Sequence, residues 1–190
     1  MKRPSCLETA TVLICTLIVV GLLYPEITSV RITDRKSEAK TCVVGITLAL
    51  KAYFMEYGKW PDYTGDGLFL NAERNAQLMR TLCGNDETNN PLKIIFFEGK
   101  IATKQTRSSD RYGSGFHPET GAFLDTWGNP YRIAIDADHD GQVDGPYSDD
   151  SNDKGLLTPV IAWSLGKDGK QGSPANPHTF KGSDDVTTWR

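Results

Sequence analysis

Between Asp136 and Asp144 the chain reads Asp-Ala-Asp-His-Asp-Gly-Gln-Val-Asp, and that spacing is the spacing of a cation-holding loop. Oxygen donors stand at places one, three and five (Asp136, Asp138, Asp140), glycine at six (Gly141) and an aliphatic residue at eight (Val143), as in the first nine places of an EF-hand-type calcium loop, with Asp144 at the ninth. The pattern lapses at place twelve, where Tyr147 stands instead of the bidentate glutamate, and the flanking segments read as strand rather than helix. A full EF-hand is therefore not expected. Seven aspartates fall between Asp136 and Asp153. Unit charges held ~4 Å apart at an effective dielectric of ~20 repel by about 4 kcal/mol per pair, so these side chains either splay into water or share a cation. The alternative to a metal is an acidic hairpin tip whose short aspartates cap turns through their own backbone.

Other chemistry finds little support. Ser164 lies in Trp-Ser-Leu-Gly-Lys rather than Gly-x-Ser-x-Gly, and His117, His139 and His178 show no triad or metal-ligand spacing. Tyr112-Gly113-Ser114-Gly115 lacks the lysine of a phosphate-binding loop. No catalytic residue is expected. A formal net charge of −3 gives no general attraction to nucleic acid, and the basic stretch Lys100, Lys104, Arg107, Arg111 is interrupted by Asp110. Of the four cysteines, Cys6 and Cys15 lie in or beside an apolar segment, so one bridge, Cys42 to Cys83, is open to the rest of the chain. Reduced packing cysteines are the equal alternative, because sequence does not place two Cα atoms at bridging distance. No Cys-x-x-Cys or Cys/His spacing points to zinc.

The elements that must position these residues begin with an N-terminal rod. Met1-Lys2-Arg3 precedes an apolar run from Ala10 to Tyr24, with Glu8 at its lip and Pro25 right after it. A carboxylate at the edge of hydrocarbon is costly unless paired, which points to a second copy of the chain as its partner. The basic start orients the N-terminus toward the cytoplasm and sends the remainder across the membrane. From Thr9 to Tyr24 a helix rises about 24 Å, somewhat short of a ~30 Å hydrocarbon layer. Leu22-Leu23-Tyr24-Pro25-Glu26 offers no small-residue cleavage site of the secretory kind. Beyond Pro25, Val43, Ile46, Leu50, Tyr53, Phe54 and Tyr57 recur on one helical face that a sheet must cover, and Gly58 and Pro61 end the helix near Tyr57. The organisation expected is a leader over 1–8, a long helix over 9–57 that is transmembrane over 9–24, and an extracytoplasmic globular domain over 58–190.

In that domain, Asn71 to Leu82 reads as a helix ended by Gly84. Leu92 to Phe97, Tyr131 to Ile135 and Val160 to Leu165 are β-rich runs bounded by turn residues, and predict one antiparallel sheet packed on the helix. Lys100 to Thr120 has no period and predicts a surface excursion.

Two blocks of residues resemble a known family, the type IV pilin-like proteins, and within it the major pseudopilin of type II secretion systems. In the rod, Leu7-Glu8, the apolar run and Pro25 are placed as in that family, and Ala49-Leu50-Lys51-Ala52-Tyr53 through Tyr57-Gly58-Lys59-Trp60-Pro61 resembles its helix exit. In the domain, Asp125-Thr126-Trp127-Gly128-Asn129-Pro130-Tyr131, then Trp163-Ser164-Leu165-Gly166-Lys167-Asp168-Gly169, then Asp184-Asp185-Val186 through Trp189 are similar to its signatures in the same order. Residues 65–120 match least. The family's leader ends in glycine before phenylalanine, whereas Arg3-Pro4 occupies that junction here, so cleavage and methylation of the N-terminus stay open.

The resemblance implies an α+β, pilin-like fold: a long N-terminal helix, membrane-spanning in its first half, packed against a small antiparallel sheet with a C-terminal calcium-binding loop. It implies that Asp168, Asp184 and Asp185, with backbone carbonyls of Leu165 and Lys170, hold a structural Ca2+, a hard cation suited to oxygen-only donors. It gives Glu8 the task of pairing with a neighbour's N-terminal amine, although a carboxylate in a first helical turn is favourable on its own. The expected function is that of a non-enzymatic subunit of a type II secretion pseudopilus or pilus-like filament. Its partners would be further copies, minor pseudopilins and an inner-membrane assembly platform, and it would be a single-pass protein of the bacterial inner membrane. The rival expectations are a monomeric membrane-anchored calcium-binding protein and a membrane-tethered hydrolase.

Overall fold

A computed structural model of the chain describes residues 6–61, 68–105, 111–144, 155–173 and 180–189; the side chains of 6–12, 19–31 and 69 fall outside that description. Arg3, Pro4 and Tyr147, and the side chains of Glu8 and Pro25, are thus outside the described residues. The chain forms two compact units, 1–37 and 38–190. Helix α1 (Cys6–Tyr57) runs without interruption past Pro25.

In the first unit the described side chains are exposed, the apolar Leu13, Ile14, Leu17 and Ile18 among them. Thr16 turns its hydroxyl back onto the Leu13 carbonyl at 2.8 Å. Among the described residues no helix is long and apolar enough to cross a membrane. The physical reason is legible in the chain: the apolar run ends after Tyr24 at Pro25-Glu26, and Arg31, Asp34, Arg35, Lys36 and Glu38 follow on the same helix. Spanning takes about 20 predominantly apolar residues. This overturns the expected membrane-spanning first half, and with it the pilin-like fold class as stated and the single-pass inner-membrane placement.

The second unit is built on the remainder of α1. Ala39, Val43, Ile46, Ala49, Leu50 and Tyr53 are buried along one face of it, with Phe54 and Tyr57 partly buried at its end. Gly58 takes φ +66° and returns its N–H to the Phe54 carbonyl at 2.8 Å, which ends the helix. Two tyrosine hydroxyls fasten that end: Tyr53 donates to the Asn89 carbonyl and Tyr57 to Asn90 Oδ1, both at 2.6 Å. Helix α2 (Ala72–Leu82) is capped by Asn71, whose Oδ1 accepts the Arg74 N–H at 2.8 Å.

The first sheet contains β1 (Leu68–Phe69), β4 (Arg132–Ile135), β5 (Val160–Ser164) and β6 (Val186–Thr187), antiparallel in the order β1-β4-β5-β6. Register pairs Arg132 with Trp163 and Ile135 with Val160. Strand alternation sends Ile133, Ile135, Val160 and Ala162 into the core shared with α1 and α2, and sends Ala134, Ile161 and Trp163 to the other face, beneath Val143, Phe180 and Trp189. Covering on both faces is why Val160–Ser164 is buried throughout and why Val160–Trp163 reads as an unbroken apolar run. At the β6 edge, Lys40 Nζ donates to the Thr187 carbonyl at 2.6 Å.

Two expectations fail here. Leu92–Phe97 is not a strand, because its N–H groups are claimed locally: Ile94 donates to Asn90 Oδ1 at 3.0 Å, and Phe96 and Phe97 both donate to the Leu82 carbonyl at the end of α2. Lys93 stands at φ +53°, which no ladder accommodates. Nor is 100–120 a plain excursion. A second sheet pairs β2 (Gly115–Phe116) with β3 (Phe123–Leu124), and Ile101 and Lys104 bridge to Phe116 and Tyr112. With two small antiparallel sheets beside the helices, the α+β description holds only loosely.

Candidate metal centre

The loop after β4 is the one place, among the described residues, where three acidic side chains converge. One carboxylate oxygen from each of Asp136, Asp138 and Asp140 lies within 4.8 Å of the others. Asp136, at the end of the strand run, is buried, whereas Asp138 and Asp140 are exposed. The backbone winds around Asp136: Asp140 donates its N–H to Oδ1 at 3.2 Å and Gly141 donates to Oδ2 at 2.9 Å. Asp140 Oδ1 in turn accepts the Gln142 N–H at 2.8 Å. His139 and Gly141 take φ +63° and +89°, the left-handed turns that bring the alternate aspartates to one side. Val143, at place eight, is buried and exchanges both backbone hydrogen bonds with Leu156, which fixes the chain just after the loop. The His139 ring rests 5.8 Å from Phe54, and Phe54 lies 4.5 Å from Trp60, so the loop abuts the end of α1. Asp144 is exposed and falls outside the converging set.

The C-terminal set is arranged differently. Asp184 Oδ2 accepts the N–H groups of Lys167 at 2.6 Å and Asp168 at 3.1 Å, Asp168 Oδ1 accepts Lys170 N–H at 2.8 Å, and Asp185 Oδ2 accepts Gly172 N–H at 2.8 Å. These carboxylates are engaged in capping backbone, and the three are not drawn together as the 136–140 group is. Leu165 is buried and Lys170 exposed. Asp185 Oδ1 is buried without a hydrogen-bond partner. Burial pushes the Asp185 carboxyl up to about 6, the Asp184 and Asp168 charges adding to the rise against hydrogen bonds that lower it. Gly166, at φ +64°, is obligatory at this turn: a Cβ there would stand 2.6 Å from the Asp184 backbone oxygen.

A residue that motif reading treated only as part of a signature organises this end of the molecule. Asp125 is fully buried. Its Oδ1 accepts the N–H groups of Trp127 and Asn129 at 2.9 and 2.8 Å, and its Oδ2 accepts the Ser164 hydroxyl at 2.5 Å. Asn129 Nδ2 donates to the Gly166 carbonyl at 2.8 Å, which ties the Trp127–Pro130 turn to the turn bearing Asp168. Burial raises the Asp125 carboxyl, opposed by those hydrogen bonds. The signal available in sequence was the run Asp-Thr-Trp-Gly-Asn-Pro itself, an Asx-type turn with apolar neighbours. Asn75 does similar work on α2, donating to the Tyr131 carbonyl at 2.8 Å and accepting the Phe123 N–H at 2.7 Å.

Cys42 and Cys83 are both free thiols. Cys83 Sγ lies 3.3 Å from the Phe97 carbonyl as its donor, and burial pushes both thiols up from their ordinary values. The Cys42–Cys83 disulfide is therefore not formed in this structure, and the packing-thiol alternative stands.

No protein-family model matches the chain, and no curated protein matches it. The expected pseudopilin and secretion descriptors thus find no family evidence, and the transmembrane descriptor is overturned by the helix itself.

Proposed function

We propose that the chain is a non-enzymatic structural subunit that assembles with further copies of itself through α1 into a filament of the pseudopilus or pilus kind, with its 136–140 loop holding a divalent cation. The observation that carries the reading is the run of large apolar side chains on the first unit's helix: Leu13, Ile14, Leu17 and Ile18 are 62, 57, 70 and 56 % exposed. At spacings of one, three and four they share one helical face, and an apolar stripe of that kind marks an interaction surface. The ordered motifs of the rod and domain support the same reading. For the cation, support comes from three converging oxygens in a loop of calcium-type spacing. The donors are hard and oxygen-only, which suits calcium over zinc.

The assembly reading is tested with the full chain by sedimentation and electron microscopy against Leu13→Glu/Leu17→Glu. Concentration-dependent fibres from the wild type and none from the variant are expected; a wild type that stays monomeric at every concentration refutes it. The converging aspartates also favour a second reading, a cation-binding module that works as a monomer. Thermal melts with calcium or chelator, repeated with Asp138→Asn, test the loop: a midpoint raised by calcium in the wild type alone supports it, and an unmoved wild type rejects it.

A further inference from the structure

We infer that the cleft between α2 and the β2–β3 hairpin binds a small amphipathic carboxylate: a free medium-chain monocarboxylic acid with its headgroup at Arg80 and His117 and its tail on Met79, Ile101 and Phe116. Binding there requires neither assembly nor a bound cation. The cleft encloses about 580 Å³, inside the range of about 300–1,000 Å³ over which pockets take small ligands. Both of its walls are fixed by the fold. Asn75 on α2 accepts the Phe123 N–H of β3 at 2.7 Å, and β2 is seated on the 100–102 segment at Gly115, where a Cβ would stand 2.5 Å from the Lys100 carbonyl oxygen.

The charged and ring donors of the cleft face no acid. Arg80, in the last turn of α2, is exposed and makes no hydrogen bond or ion pair among the described residues. Its guanidinium is always ionised. His117 Nδ1 accepts the N–H groups of Glu119 and Thr120 at 3.3 and 3.2 Å, so the neutral ring carries its proton on Nε2, which is a donor in either protonation state. The Tyr112 ring, 4.3 Å away by centroids, supports the imidazole. Among the described residues no acidic side chain lines the cleft. The carbonyls at the end of α2, which would repel an anion, are already engaged: those of Met79 and Arg80 accept the Cys83 and Asn85 N–H groups, each at 2.9 Å, and that of Leu82 accepts Phe96 and Phe97. A guanidinium beside an imidazole N–H, with no competing carboxylate, selects an anion by charge-assisted hydrogen bonding. The walls select its remainder, since Ile101 stands 63 % exposed with Met79 and Phe116 beside the same space. An inorganic anion would leave those walls wet, and an uncharged hydrocarbon would leave the donors unused. A monocarboxylate with an alkyl tail satisfies both.

The test uses the full chain with hexanoate, octanoate and decanoate, each below its micelle concentration. Calorimetric titration is expected to show affinity rising about fourfold for each methylene added. Bound decanoate slows iodoacetamide labelling of Cys83, which lines the cleft, and leaves that of Cys42 unchanged. Decanol, which lacks the charge, binds about tenfold more weakly. Arg80→Glu, a change at an exposed side chain, weakens decanoate by about tenfold or more and abolishes the protection of Cys83. Decanoate that binds without protecting Cys83 occupies another surface and overturns the site. Decylammonium that protects Cys83 as well as decanoate does overturns the choice of an anion, and so does protection that survives Arg80→Glu. A chain that takes up none of the three acids overturns the proposal outright.

Discussion

Replacing Asp185 by asparagine stabilises the protein at neutral pH and does nothing of the kind in acid. Asp185 Oδ2 accepts the Gly172 N–H, but Oδ1 is buried without a partner, and burial together with Asp184 and Asp168 holds the carboxyl at about 6 against an ordinary 3.8. A carboxylate raised in the folded state binds its proton more tightly folded than unfolded. Its ionisation therefore costs stability, progressively, as pH rises from about 4 through about 6, and the cost is complete above that. The full difference corresponds to about 3 kcal/mol. Because the side chain is only partly buried, solvent screening reduces this, and about 1 kcal/mol is expected. The asparagine amide of the variant keeps an oxygen for the Gly172 N–H and removes the charge. For a unit of this size about 1 kcal/mol moves the midpoint by roughly 2–4 °C. Thermal melts of wild type and Asp185→Asn in chelator, at pH 7.5, 6 and 4.5, give the assay: the variant leads by that margin at pH 7.5 and the gap closes toward pH 4.5. A variant that is less stable by the same amount at every pH would refute the reasoning, for then the lost geometry and not the charge would govern. Repeating the melts in calcium separates the acidic sites. An ion held among Asp168, Asp184 and Asp185 raises the wild type and leaves the variant unmoved, whereas an ion in the 136–140 loop raises both.

Gly166→Ala places a Cβ 2.6 Å from the Asp184 backbone oxygen at a residue with φ +64°, and urea unfolding should show a loss of about 2–3 kcal/mol. Asn75→Ala strands the buried Phe123 N–H and the Tyr131 carbonyl, for a loss of about 2–4 kcal/mol in the same assay, whereas the exposed Gln77→Ala stays within about 0.5 kcal/mol. Cys42 and Cys83, free and partly buried with raised pKa, should label slowly with a thiol reagent in the native protein and quickly in denaturant. A mass showing two hydrogens lost, with no labelling of either, would contradict the free-thiol arrangement.

What could be read from residues alone follows from how local each cause is. The buried face Val43, Ile46, Leu50, Tyr53 is written in helical spacing, and the helix end in Gly58; both are properties of consecutive residues. Tyr131–Ile135 and Val160–Leu165 show as strands for the same reason, and Asp136–Val143 shows as a turn-rich acidic loop because glycine and aspartate spacing encode it. Leu92–Phe97 misleads because β-propensity describes side chains, while the outcome was set by which acceptors lay nearby: the Asn90 amide and the Leu82 carbonyl are supplied by the end of α2 and the turn after it. The importance of Asp125 and Asn75 is invisible in sequence for a related reason. Each is a polar residue in an otherwise ordinary position until segments 39 to 56 residues away bring Ser164, Tyr131 and Phe123 to it. The apolar run at the start is the instructive failure. Its composition resembles a span, but length decides whether a helix crosses a bilayer, and the run is bounded by Glu8 on one side and Pro25-Glu26 on the other before that length is reached. The same shortness leaves Leu13, Ile14, Leu17 and Ile18 as an exposed apolar face, the strip on which the proposed packing between copies rests.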